Sequence, residues 1–220
     1  MTVKQAVEFI GGFSAPSKMP CQGFSIPAWL CITGMKLRNV TGSICSKCYA
    51  LKGRYGFPNV KNALMRRFNK ISDPMWVDAM TIAIGGTESS GFFRWHDSGD
   101  IQSIKHLIDI CQIAKNLSNI SFWLPTREYS IVAQYVKQYG ALPENLTVRL
   151  SALMINGQPP VSIANRLGCV TSGVSDIGFT CPSSAQGNKC LTCRACWDKN
   201  VANVNYKRTK KCFFILFCFC

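Results

Sequence analysis

Seven of the chain's thirteen cysteines fall into two tight groups. The first is Cys31 followed by Cys45-Ser46-Lys47-Cys48. The second is Cys181 followed by Cys190, Cys193 and Cys196 at two-residue gaps. Such gaps let successive thiolates turn toward one centre, the spacing that zinc and iron–sulfur sites use. Cys-x-x-Cys-x-x-Cys with a more distant fourth thiolate suits a cubane iron–sulfur cluster, wrapped by short loops. Zinc usually draws paired thiolates from two separate loops. Pro182 and Gly187-Asn188 suit a chain bending sharply around a metal. The metal-ligand candidates are therefore Cys31, Cys45, Cys48, Cys181, Cys190, Cys193 and Cys196. A trio of thiolates leaves one iron of a cubane open to an outside ligand. Two assemblies fit the spacing: two separate clusters, or one that joins Cys45 and Cys48 to the later group. Cys21, Cys111 and Cys169 have no partner at metal spacing, and Cys111 reads as helix core.

A second set of residues could line a pocket. His96-Asp97-Ser98-Gly99-Asp100 carries one of only two histidines, with two carboxylates, where a strand should end. It reads as a strand-to-helix turn capped by Ser98 or Asp100, as the floor of a polar site, or as both. Arg127-Glu128 reads as an ion pair or as a second wall of that site. The cofactor-binding candidates are thus His96, Asp97, Ser98, Asp100, Arg127 and Glu128, with no catalytic residue assigned. His106 reads as an exposed helix residue.

The elements that must hold these residues show in the hydrophobic period. Phe24 to Trp29 is a strand or an extended loop. Helical spacing runs from Pro58 to Ile71, with Asn59 near its start, and a second helix begins at Ser72-Asp73-Pro74. Phe92–Trp95 reads as a strand, and Ile104 to Ile113 as a helix. Ile120–Leu124 reads as the next strand and Ile131 to Tyr139 as a helix stopped by Gly140. Leu146–Ser151 and Gly168–Ser172 complete the strands. Strand and helix alternating at this pitch imply parallel pairing, because each crossover needs a dozen or more residues. The expected fold is α/β: a partial (β/α) barrel or an open, mainly parallel sheet with cysteine-rich metal-binding loops. Residues 1–206 should form one such domain holding the iron–sulfur site.

Composition narrows the classes. A chain of 220 residues with 47% hydrophobic and 16% charged content is globular, not disordered. The N-terminus lacks a signal-peptide apolar run, so the expected place is the cytoplasm. There, clustered cysteines serve metals or redox chemistry before disulfides. A net charge of +14 fits nucleic-acid binding, an anionic ligand, or compensation for buried thiolates. Residues 207–220 form a tail, basic at Lys207–Lys211 and then apolar through Cys212, Cys218 and Cys220, and too short to span a bilayer. No transmembrane span is expected.

Several motifs resemble the bacteriophage gene-product-eighty-eight family: Ile26-Pro-Ala-Trp29, the Gly42–Tyr55 segment around Cys45 and Cys48, Phe93–Asp100, Trp123–Glu128 and Gln186–Asp198. The resemblance covers about residues 20 to 206 and implies a phage protein in the host cytoplasm. A looser likeness is to radical S-adenosylmethionine enzymes, partial (β/α) barrels whose cluster cysteines end in Cys-x-x-Cys beside an aromatic, as in Cys48-Tyr49. Their second strand ends in a Gly-rich acidic motif that holds the cofactor's amino group, the place of Asp97–Asp100 here. In this chain the first cysteine is Cys31, through a longer loop than theirs. The expected function is an iron–sulfur protein with a 4Fe–4S cluster, either a radical S-adenosylmethionine-like enzyme or an electron-transfer protein, acting on an unknown substrate or redox partner. The alternative is a zinc-stabilised nucleic-acid-binding protein, supported by the charge and by Tyr55 and Tyr206 near basic residues.

Overall fold

The computed structural model describes residues 1–207. Most of the expected tail, including Cys212, Cys218 and Cys220, lies outside the described residues. Seven strands form one sheet: β1 (Gly23–Phe24), β2 (Phe92–Trp95), β3 (Ser121–Thr126), β4 (Leu146–Ser151), β5 (Val170–Gly173), β6 (Phe179–Thr180) and β7 (Asn203–Asn205). Their spatial order is β1-β2-β3-β4-β5-β7-β6, and every neighbouring pair is parallel. The sheet is open. The expected α/β class and parallel pairing hold.

The helices are α1 (Val3–Phe9), α2 (Ile32–Leu37), α3 (Pro58–Phe68), α4 (Trp76–Thr87), α5 (Ile104–Asn116), α6 (Tyr129–Tyr139) and α7 (Val161–Arg166). Gly140, at φ 78, ends α6 in a conformation that favours glycine. α3 and α5 begin at Pro58 and Ile104 as expected but with other preceding residues, and α4 begins later than expected. Phe57, not Asn59, precedes α3, with Pro58 in its first turn. α4 begins at Trp76, because Asp73 Oδ1 accepts from the Met75 N–H and closes a turn that contains Pro74. Ser103 caps α5 by accepting from the His106 N–H at 3.1 Å. Asp100 is held elsewhere.

Side chains alternate across each strand, so the sheet has two buried faces. Phe93, Trp95, Phe122, Leu124, Val148 and Leu150 pack with α1, α4, α5 and α6 into the main apolar core. Cys111 is buried there, as expected of a core residue. His106 departs from expectation. It is 2% exposed, edge-on to Trp76 with ring centroids 5.4 Å apart. On the opposite face Trp123 and Val204 pack with Cys21, Trp197 and Tyr206 in a second, smaller core.

The late cysteines stand where a helix would normally cross the sheet. Cys181 follows β6, and Cys190, Cys193 and Cys196 precede β7, with only a short 3-10 turn at Pro182–Ala185 in that crossover. The group therefore lies between the last two strands of the described residues. Buried Arg149, on β4, organises this segment. Its guanidinium donates to the carbonyls of Ala195 (2.6 Å), Cys196 (2.9 Å), Asp198 (2.7 Å) and Val201 (2.9 Å), and to Thr171 on β5 (3.0 Å). Trp197 Nε1 donates to the Phe93 carbonyl at 2.9 Å, and the Thr147 hydroxyl to the Trp197 carbonyl at 2.6 Å. Among the described residues no helix is long and apolar enough to cross a membrane.

Candidate functional site

The early cysteines gather at the carboxyl ends of β2, β3 and β4, where open parallel sheets place their ligands. Cys31 opens α2, while Cys45 starts a one-turn 3-10 helix that Cys48 ends. The Cys48 N–H returns to the Cys45 carbonyl at 3.2 Å, so both thiols leave the same tight turn. Ile44 N–H donates to the Leu153 carbonyl at 2.9 Å, and Ile155 N–H to the Gly42 carbonyl at 2.9 Å. These two bonds tie the turn to the exit of β4. Cys31, Cys45 and Cys48 line one pocket with His96, Asp97, Ser98, Asp100 and Arg127. Gly34 leaves room for the thiols: a Cβ there would stand 3.7 Å from Cys31 Sγ and 3.8 Å from Cys45 Sγ. Burial pushes all three thiols above their ordinary pKa. Without a neighbouring cation such thiols stay protonated and inert.

The polar wall divides into anchored and unanchored groups. Asp100 is anchored. Its Oδ1 accepts from the Thr126 hydroxyl at 2.6 Å and the Ile101 N–H at 2.8 Å, and its Oδ2 from the Arg127 N–H at 2.9 Å. Burial raises its pKa to about 6, against the pull of those donors. Asp97 is half anchored. Tyr55 donates its hydroxyl to Asp97 Oδ2 at 2.7 Å, and Tyr49 donates to the Asp97 carbonyl, while Oδ1 is buried with no partner. Ser98 Oγ and both ring nitrogens of His96 are likewise buried and unpartnered. His96 takes a left-handed φ of 53, which turns its ring onto His106, 5.3 Å between centroids. Burial, with the charge of His106 and Arg94, holds its imidazole well below the ordinary pKa.

Glu128 stands behind the pocket, not in its wall. It accepts from the Thr33 N–H and the Thr33 hydroxyl, both at 2.8 Å, and so pins α2 next to Cys31. Arg127 turns its Nε toward the Ala152 carbonyl at 3.3 Å, and no Arg127–Glu128 ion pair is present among the described residues. Asp97 also borders a second cavity, with Ser14, Ser25, Arg54, Tyr55 and Arg67.

The late cysteines do not share this pocket. None of Cys181, Cys190, Cys193 and Cys196 lines it. Cys181 and Cys196 pack instead on the smaller core around Cys21, Trp123 and Trp197. The two groups in sequence are two groups in space. Among the described residues no three His, Cys, Asp or Glu side chains stand together in single-ion geometry. Sequence spacing alone did not reveal Tyr49, Tyr55, Gly34 or Thr33. Of these, Tyr49 had a signal as the aromatic directly after Cys48, and Tyr55 only as an aromatic near basic residues. Tyr206 is 3% exposed and packs in the smaller core, while Tyr55 is half-buried and donates its hydroxyl to Asp97.

Residues 3–199 match the family model described as Gene product 88. The chain belongs to that family. This agrees with the resemblance carried by the motifs around Cys45, Asp97 and Cys190. No curated protein and no solved structure matches the chain, so the likeness to radical S-adenosylmethionine enzymes gains no support from them.

Proposed function

We propose that this protein is a phage iron–sulfur protein whose early thiolates, Cys31, Cys45 and Cys48, hold a cubane cluster with one iron open to a small ligand. The observation that carries this reading is that the three thiols border the same pocket as His96, Asp97, Ser98, Asp100 and Arg127. The donor set fits: three soft sulfur ligands suit iron–sulfur chemistry. Bound there, a cluster supplies single electrons to whatever occupies the pocket. Asp97 Oδ1, Ser98 Oγ and the His96 ring supply acceptors that the fold leaves unused. Arg127 adds a positive charge. That combination suits a small zwitterion bearing an ammonium and a carboxylate, and S-adenosylmethionine is the cofactor of this kind that iron–sulfur enzymes use. An electron-transfer role would leave the same cluster without that ligand.

The test is anaerobic purification followed by spectroscopy. The reading expects brown protein with broad absorbance at roughly 400 nm, from thiolate-to-iron charge transfer. Cleavage of added S-adenosylmethionine by the reduced protein makes it an enzyme, and its absence leaves an electron carrier. Colourless protein carrying stoichiometric zinc overturns both.

A further inference from the structure

The crossover from β6 to β7 has an unusual backbone around its cysteines. The chain turns through left-handed conformations at Gly187 (φ 61), Asn188 (φ 62) and Leu191 (φ 45), immediately around Cys190. A leucine rarely accepts that geometry unless its surroundings impose it. The Cys190 N–H donates to the Lys18 carbonyl at 2.9 Å, which draws the loop onto the segment that leads into β1. Cys21 lies in that segment. It is 7% exposed and shares the smaller core with Trp123 and Trp197, against which Cys181 and Cys196 also pack. The Cys193 N–H returns to the Cys190 carbonyl at 2.9 Å, so those two thiols leave one tight turn, as Cys45 and Cys48 do.

We propose that Cys21 joins Cys190, Cys193 and Cys196 in a second, four-thiolate iron–sulfur cluster, separate from the pocket of Cys31, Cys45 and Cys48. Sequence spacing hides Cys21 because the sheet brings the two ends of the chain together. Cys181 packs on the same core but turns its Sγ to donate to Ser183 Oγ at 3.2 Å. A cluster with four thiolates is anionic and needs nearby positive charge. Two guanidiniums flank the place: Arg94 lies 4.6 Å over the Trp123 ring and Arg194 5.1 Å over Phe92. The full thiolate set gives this centre no open iron, so it passes electrons and binds no substrate.

The proposal shares its chemistry with the function proposed above but not its site, and one series separates the two. Iron and sulfide are measured on the anaerobically reconstituted full chain carrying Cys45→Ser and Cys48→Ser. About four irons per chain should remain, half the wild-type content. Adding Cys21→Ser should remove them, whereas adding Cys181→Ser or Cys169→Ser should not. Iron retained after Cys21→Ser overturns the proposal, as does a Cys45/Cys48 variant holding no iron. Equal iron in the wild type and the Cys45/Cys48 variant would instead refute the early cluster alone. Should Cys21→Ser fail to fold, alkylation of the wild type decides. Cys21, Cys190, Cys193 and Cys196 should become reactive together when iron is chelated, while Cys169, also buried, should not. Cys21 reactivity that is indifferent to iron overturns the proposal.

Discussion

Gly34 and Cys31 touch across the first turn of α2 so closely that a Cβ on Gly34 would stand 2.8 Å from Cys31 Cβ. The requirement is for space beside the Cys31 Cβ, since Cys31 Sγ and Cys45 Sγ, at 3.7 and 3.8 Å from the same Cβ, would be in ordinary contact. Gly34→Ala should therefore push Cys31 out of line. Overpacking of this kind costs about 1 to 3 kcal/mol. Urea unfolding should show that loss, and iron bound at the early cysteines should fall with it. Gly56→Ala is the control, because a Cβ there meets nothing within 4 Å.

Arg149 holds the late loop by four backbone carbonyls and β5 by a fifth, so its removal should act at a distance from β4. Arg149→Met fills the space but takes the guanidinium donors away from those carbonyls. Loss of such a buried charged donor costs on the order of 3 to 5 kcal/mol. Lysine cannot reproduce the planar fork, so Arg149→Lys should recover only part. Thermal denaturation measures the loss. Faster alkylation of Cys190, Cys193 and Cys196 shows that it opens the loop.

Much of the fold was legible because burial on two faces leaves strong patterns. Leu146–Ser151 is buried at every position, and the apolar faces of α5 and α6 repeat at helical spacing. What stayed hidden depended on partners distant in the chain. Asp100 looked like a helix cap, yet Thr126 and Arg127 of the next βα unit claim its carboxylate. His106 looked exposed among polar neighbours, but Trp76 of α4 and His96 after β2 close over it. Cys21 stands alone in sequence, yet it packs in the smaller core with Trp197, Val204 and Tyr206 from the far end of the described residues. β6 and β7 are two and three residues long, too short for a period to show.

The buried His96–His106 pair sets the acid limit of the fold. Burial lowers the His106 pKa from 6.5 to about 3, with Lys105 adding repulsion. The unfolded chain takes up this proton below 6.5 and the folded one does not. Stability is therefore complete above that pH and is lost as pH falls toward 3, on the order of 5 kcal/mol for this group. Asp100 works the other way. Its pKa rises from 3.8 to about 6, so it favours the folded state as pH falls through that window. The two histidines outweigh it. In urea, wild type should lose midpoint concentration between pH 7.5 and 4.5. His106→Leu should shrink that difference, and an unchanged difference would refute the assignment.

Glu128 separates positioning from ligand binding. Both its oxygens are occupied by Thr33, which holds α2 and with it Cys31 and Gly34. Glu128→Ala leaves the Thr33 N–H without its acceptor, a loss of about 1 to 3 kcal/mol, and iron at the early cysteines should drop. Glu128→Gln keeps the amide oxygen for the Thr33 N–H while the hydroxyl turns to accept, so most of the iron should return. A residue in the pocket wall would behave differently, since the charge change in Glu128→Gln would then weaken small-ligand affinity. Titrating S-adenosylmethionine against protein matched for iron content reads this directly. Equal affinity in wild type and Glu128→Gln is the expected outcome, and a tenfold loss would move Glu128 from behind the pocket into it.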